Sequence, residues 1–267
     1  MEATLTSSFH LIVLPKPNLP SRSNKTTWKK RTTTQKIVSS SSSSSSEEDK
    51  PTELRVCTNR SCSRQGSRSI LAVLSAIAPP SVSASSCGCL GRCGSGPNLV
   101  LDPPDGPAIV TCCATPARAA RLLAELCRHG RFDPEKALKA LAVRNEAEDE
   151  IDKGNFSEAQ LFLSQAIELR PSGGLHFLYR LRSVARLAIG DNEGALHDAE
   201  EAFRIAPKFP EAFICQGDAF VAMEQWDAAE KAYSNALLID PSIRRSRSFK
   251  ARVAKLEEKL IVANASS

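Results

Sequence analysis

Read for its alternation of apolar and polar positions, the chain changes character near residue 130. Ahead of that point the apolar stretches are short and of mixed period. Glu53-Leu-Arg-Val-Cys57 alternates and predicts a strand ending at Cys57, followed by a Ser- and Arg-rich loop. Ile70, Leu71, Val73, Leu74 and Ile77 recur at helical spacing, and Pro79-Pro80 stops the helix they predict. Ser81 to Ser86 reads as a short strand, as does the Asn-Leu-Val-Leu run after Pro97. Asp102 to Gly106 is then the turn of a hairpin that returns through Ala108 to Thr111. Thr115-Pro116 supplies N-cap and first-turn chemistry for a helix to about Cys127, with Leu122, Leu123 and Leu126 on its buried side. The order strand, helix, strand, strand, strand, helix describes a small α/β layer fold over residues 51–130.

Beyond residue 130 the period is helical throughout. Asp133-Pro134-Glu135 opens a helix with a cap, an N1 proline and an early acid. Three stretches then align at near 34-residue spacing: Gly154-Asn-Phe156-Ser-Glu-Ala159, Gly190-Asp-Asn-Glu-Gly-Ala195 and Glu224-Gln-Trp226-Asp-Ala-Ala229. Pro171, Pro207 and Pro241 follow twelve residues after each alanine, preceded by Ala166, Ala202 and Ala236. This pattern resembles the tetratricopeptide repeat (TPR), which implies helical hairpins at about 140–173, 176–209 and 210–243, with two extra residues near Gly174-Leu175. Tyr179, Gly217, Phe220 and Tyr233 fall at packing positions, whereas Glu146 and Glu150 stand where the first hairpin should carry apolar or small residues. One hairpin cannot bury its own apolar face. Stacking three produces a continuous core, capped by a helix from about Ser246 to Val262 through Phe249, Val253, Leu256 and Leu260. Residues 133–262 therefore read as an all-α solenoid.

In such a solenoid the first helices line a concave face. Arg144, Phe177, Arg180, Ile214 and Asp218 are the candidate partner-binding residues, with Glu148, Val184 and Glu211 beside them. The carboxylate clamp of repeats that bind heat-shock-chaperone C-termini is not reproduced, since acids at Glu148 and Glu211 stand where that clamp uses Asn and Lys. A chaperone-tail adaptor is thus disfavoured, and a protein partner with a mixed polar and apolar surface is expected.

The first module carries the candidate chemistry. Five of the nine cysteines lie in two clusters, Cys57-Thr-Asn-Arg-Ser-Cys62 and Cys87-Gly-Cys89-Leu-Gly-Arg-Cys93-Gly-Ser-Gly-Pro97. The C-x4-C pair, the later Cys89-Leu-Gly-Arg-Cys93 and the following Gly-Ser-Gly-Pro97 resemble the thioredoxin-like [2Fe-2S] ferredoxin family, over roughly residues 52–128. The resemblance implies a thioredoxin-like fold and one [2Fe-2S] cluster held by Cys57, Cys62, Cys89 and Cys93. Soft thiolates suit iron–sulfur centres, and glycines in the second loop free backbone N–H groups to point at sulfur. Two alternatives stay open: Cys87 in place of Cys89, because strand alternation points both the same way, and zinc in place of the cluster. Cys112, Cys113 and Cys127 read as buried structural thiols. No C-x-x-C occurs, so a thiol–disulfide oxidoreductase is disfavoured.

Composition adds an address. Residues 1–46 are rich in Ser and Thr, hold seven Lys or Arg against the single acid Glu2, and end in the serine run Ser39 to Ser46. This is the composition of a disordered transit peptide and linker, and the prolines at 15, 17 and 20 favour the chloroplast, in its stroma. Without that segment the charge is 28 − 29 = −1, so the net +5 of the whole chain carries no nucleic-acid signal. No apolar run is long enough for an integral membrane segment. The four histidines are scattered and no catalytic constellation, phosphate loop or small-molecule substrate site is readable, which argues against an enzyme. The expectation is a plastid iron–sulfur protein serving one-electron transfer, redox sensing or cluster handling on a partner docked by the repeats. The alternative is a scaffold or assembly factor for a photosynthetic or other chloroplast complex, with a purely structural metal.

Overall fold

The computed structural model describes residues 52–102, 107–127 and 132–265. The segment read as transit peptide and linker, residues 1–46, lies outside the described residues, as does most of the Asp102 to Gly106 turn.

The first module holds four strands, β1 Thr52–Cys57, β2 Val82–Cys87, β3 Leu99–Asp102 and β4 Ala108–Val110, in the order β2-β1-β3-β4. β1 runs parallel to β2 with Cys57 opposite Cys87, and β3 pairs antiparallel to both β1 and β4. The central strand is apolar at Leu54 and Val56 because it is covered from α2 Ser67–Ile77 and α3 Pro116–Leu126. Ile70, Leu74, Ile77, Ala119, Ala120 and Leu123 are all buried there. Thr115 caps α3 by accepting from the Arg118 N–H. The loop expected after Cys57 is in part helical. Asn59 caps a short helix, α1 Arg60–Arg64, that carries Cys62 inward. A short polar stretch lacks apolar periodicity, and its signal lay in the cap rather than the pattern.

Six helices form three hairpins: α4 Pro134–Lys153 with α5 Phe156–Glu168, α6 Leu175–Ala188 with α7 Asn192–Ile205, and α8 Pro210–Ala222 with α9 Trp226–Ile239. The last helix, α10 Arg247–Ala265, lies over the final pair through Phe249 and Leu256. Ala159, Ala166, Ala195, Ala202, Ala229 and Ala236 are fully buried, so the second helices approach their neighbours closely. The irregular first helix is continuous. Ala147, beside exposed Glu146, is the buried small residue, and Glu150 accepts from Lys153 and Asn155 where Gly154 closes the helix at φ 84°.

The helix α4 belongs to both modules. Its first turns place Ala137, Leu138 and Leu141 in the core of the α/β module beside Phe132, while Val143, Ala147 and Ile151 pack in the first hairpin. The two extra residues between hairpins have a place here too. Gly173 and Gly174 lie against the backbone carbonyls of Ala76, Ile77 and Ala78 at the end of α2, where no Cβ fits.

A buried charge fastens the middle of the solenoid. Asp198 on α7 is fully buried and accepts from Arg182 Nε at 2.8 Å and Nη2 at 2.7 Å, with Arg186 Nη1 at 3.1 Å. Arg182 also donates to Ser164 on α5 at 3.1 Å, so one guanidinium joins three helices.

Candidate functional site

Two groups of residues carry chemistry: the cysteines at one end of the sheet and the concave face of the solenoid. The first is built by the parallel pair β1 and β2, whose carboxyl ends both finish on cysteine. Cys57 and Cys62 are buried, whereas Cys89 and Cys93 lie on the exposed loop between β2 and β3. That loop closes onto α1 through Ser61 Oγ, which donates to the Cys93 carbonyl at 3.0 Å. Asn98 Nδ2 donates to the Arg92 carbonyl at 2.7 Å and reaches Cys62 Sγ at 3.6 Å. A Cβ on Gly96 would stand 2.9 Å from Cys62 Sγ, so the close approach of loop and helix requires glycine.

The exposed pair is close: Cys89 Sγ and Cys93 Sγ are 3.5 Å apart, and the Gly91 N–H donates to Cys89 Sγ at 3.4 Å. That N–H, with the Cys93 thiol, holds the Cys89 thiol below its ordinary range. Burial pushes Cys62 up, and the neighbouring Cys57 adds to this. Cys87 is half-buried at the end of β2, and burial with Cys57 raises it. Of the two residues left open by strand alternation, Cys89 is the one set against Cys93, because the chain leaves the strand between them. The donors therefore form an exposed pair and a buried pair. Among the described residues no three His, Cys, Asp or Glu side chains gather tightly enough to hold one ion.

The remaining thiols divide differently from the expectation. Cys113 is buried, Cys127 is half-buried and Cys112 is exposed, with its backbone at φ 59° and its N–H on the Ser95 carbonyl at 2.8 Å. Cys215, which no motif singled out, is buried on α8, and desolvation pushes its thiol up to about 12.

On the concave face the structure separates the five candidates. Arg144 donates to Glu148 at 3.1 Å and sits 5.4 Å from the Phe177 ring centroid, joining α4 to α6. Phe177, His176 and Phe209 form an aromatic cluster with centroids 4.0 to 5.4 Å apart. His176 is driven down to about 4 by burial and then by Arg144 and Arg180. Arg180 is half-buried and has no ion-pair partner among the described residues. Ile214 and Asp218, half-buried like Arg180, also contact neighbouring elements. Ile214 packs in the cluster formed with Tyr233, Phe249 and Leu256, and Asp218 is bound to Tyr233 and Arg252. Arg252 of the capping helix reaches Asp218, and no helical period within α8 alone announces that contact.

Comparison with known proteins identifies the helical part as a TPR domain. A 108-residue region is 33% identical to the STIP1 homolog of Dictyostelium discoideum, covering 40% of this chain and 19% of that protein. A 113-residue region is 30% identical to an Hsp70-Hsp90 organising protein of Plasmodium falciparum, covering 42% of this chain and 43% of that protein. The chain thus spans less than half the length of these relatives. The first TPR of Spaghetti (RPAP3), solved bound to the HSP90 peptide SRMEEVD, aligns at TM-score 0.42 and 19% identity over 49% of this chain and 97% of that one. No protein-family model matches the chain.

These relatives correct two expectations. The expected function, electron transfer, redox sensing or cluster handling on a docked partner, is overturned, as is its alternative as a photosynthetic assembly factor: the proteins matched include Hsp70-Hsp90 organising proteins. The same relatives weigh against setting a chaperone adaptor aside on the clamp positions alone. Glu148 and Glu211 are two positions, whereas the similarity extends over 108 residues of the hairpin array.

Proposed function

We propose that this protein is an adaptor of the co-chaperone type, whose repeat module docks a peptide segment of a protein partner on the concave face formed by α4, α6 and α8. The carrying observation is the 33% identity to the STIP1 homolog over 108 residues. C-terminal tails of heat-shock chaperones are the first class of segment. Arg180 offers an ion to a tail carboxylate, and the cluster of Phe177, His176 and Phe209 offers an apolar contact beside it. Glu148 holds Arg144, so this face reads its peptide with fewer free cations than a complete clamp. An adaptor of this kind catalyses no reaction.

The test is fluorescence anisotropy of labelled SRMEEVD against the full chain. Binding that weakens at least about tenfold in the double variant Arg144→Ala/Arg180→Ala, and on amidation of the peptide C-terminus, supports the reading. Absence of binding, or indifference to both changes, overturns it.

The cofactor belongs to the same reading. Cys57, Cys62, Cys89 and Cys93 would hold a thiolate-bound metal centre that ties α1 to the loop after β2, a [2Fe-2S] cluster being favoured over zinc. Two separate pairs of sulfurs suit a centre with two metal atoms better than a single tetrahedral ion, and the Gly91 N–H is already directed at one sulfur. The thioredoxin-like reading of the first module is supported by its strand order and by α2 and α3 covering the central strand. Metal and sulfide analysis of the anaerobically purified chain, with single Ser replacements at the four positions, decides the cofactor. Retention of metal in Cys89→Ser together with its loss in Cys87→Ser would reverse the ligand choice.

A further inference from the structure

Between Glu53 and Asp102 the chain has no acidic residue, and every charged side chain in that interval is an arginine: Arg55, Arg60, Arg64, Arg68 and Arg92. Arg55 is paired with Asp102 at 2.6 Å. Arg60, Arg64 and Arg68 are exposed and have no ion-pair partner among the described residues. They recur every fourth residue across α1 and the start of α2, and with Thr58 and Ser63 they surround one open concavity of about 420 Å³. Arg92 stands exposed on the loop that closes onto α1. A solvated protein surface ordinarily interleaves charges of both signs, so a concavity whose charged lining is arginine alone is a positive patch without a carboxylate partner.

We propose that this concavity is a second docking surface, separate from the concave face of the repeats, and that it takes an acidic segment of a protein partner. Guanidinium groups match carboxylates in a two-pronged geometry that lysine does not offer, and the Ser63 hydroxyl adds a donor between them. The lining contains no aromatic side chain on which a base could stack, which separates it from a single-strand nucleic-acid groove. It is open to solvent and floored by flexible side chains, which suits an extended chain segment rather than an enclosed small molecule. The adaptor would then hold a partner at two places, with the shared helix α4 keeping the two surfaces in fixed relation.

The experiment measures binding of fluorescein-labelled octaglutamate to the full chain by anisotropy, with octaglutamine as the neutral control. Octaglutamate is expected to bind, and raising salt from about 50 to about 200 mM should weaken it severalfold. The triple variant Arg60→Gln/Arg64→Gln/Arg68→Gln should weaken it at least about tenfold, while octaglutamine does not bind. The inference is overturned if octaglutamate does not bind, if the triple variant binds it as tightly, or if octathymidylate competes more strongly than octaglutamate. Loss of octaglutamate binding in Arg144→Ala/Arg180→Ala instead would assign the acidic peptide to the repeats and overturn the patch. Loss of SRMEEVD binding with octaglutamate retained would sink the repeat reading and leave the patch standing. If the triple variant does not fold, Arg60→Gln and Arg64→Gln singly, each expected to weaken binding about threefold, carry the same decision.

Discussion

Arg252 on the capping helix donates its Nε to both carboxylate oxygens of Asp218, each at 2.8 Å, and Tyr233 donates its hydroxyl to the same carboxylate at 2.7 Å. One acid thereby ties α8, α9 and α10 together. Replacing Asp218 with Ala leaves a half-buried guanidinium and a phenol without their acceptor. We expect a loss of about 1–3 kcal/mol in urea unfolding and faster amide exchange along α10. Binding of SRMEEVD should stay within about twofold of wild type, since Asp218 is already held by Arg252 and Tyr233. A large change in affinity with unchanged exchange would return Asp218 to the partner surface.

Asp198 is the more severe case. It is fully buried under Arg182 and Arg186, so Asp198→Ala leaves Arg182 without its carboxylate among α5, α6 and α7, while Arg186 keeps Asp191 and the Gly194 carbonyl. The expected cost is about 3–5 kcal/mol, read as a lower urea midpoint with unchanged slope. Asp198→Asn keeps the volume and one acceptor and should cost less. An Ala variant within about 0.5 kcal/mol of wild type would show that the network contributes nothing net.

The His176 imidazole makes the fold sensitive to acid. Its folded value is lowered from 6.5 to about 4, so above about pH 6.5 neither the folded nor the unfolded form is protonated and the contribution is intact. As the pH falls from there toward 4, the unfolded chain takes up the proton first and stability is lost, by at most about 3 kcal/mol. His176→Phe, which cannot take a proton among Phe177, Phe209 and Arg144, should flatten the decline relative to wild type between those two values. Parallel curves for the two proteins, measured by urea titration at stepped pH, would remove His176 as the cause.

Gly173 tests the junction between modules. A methyl group there meets the backbone carbonyls of Ile77 and Ala78, which cannot rotate away as a side chain can. Gly173→Ala is expected to cost about 1–3 kcal/mol and to raise amide exchange at the end of α2 as well as in the loop it occupies. Exchange confined to the loop would mean that the two modules are not held together at this point.

Much of the architecture was legible from single stretches. Alternation over 53–57, the apolar face over 70–77 and the Thr115-Pro116 start each describe a local element whose buried side follows from its own period. The alanine and proline positions spaced by one repeat were legible for the same reason, since each hairpin meets its neighbour in the same way. The α1 helix was not, because four polar residues around the single buried Cys62 make no apolar period and only the Asn59 cap marks them.

The amino-acid sequence by itself determined the identity of the repeats, the strand that ends on Cys57 and the glycines that let the second cysteine loop close. All of these depend on residue type and spacing within a short stretch of chain. Tertiary structure alone decided what each candidate touches. Asp218 sits on a first helix like Arg180, yet Arg252 of α10 binds it, and the contact surface of α10 is set by packing between elements distant in sequence. It also decided that Cys89 meets Cys93 while Cys87 stays at the strand end, and that α4 serves two cores. Burial is a property of what arrives from elsewhere in the chain, and a local pattern carries only half of that contact.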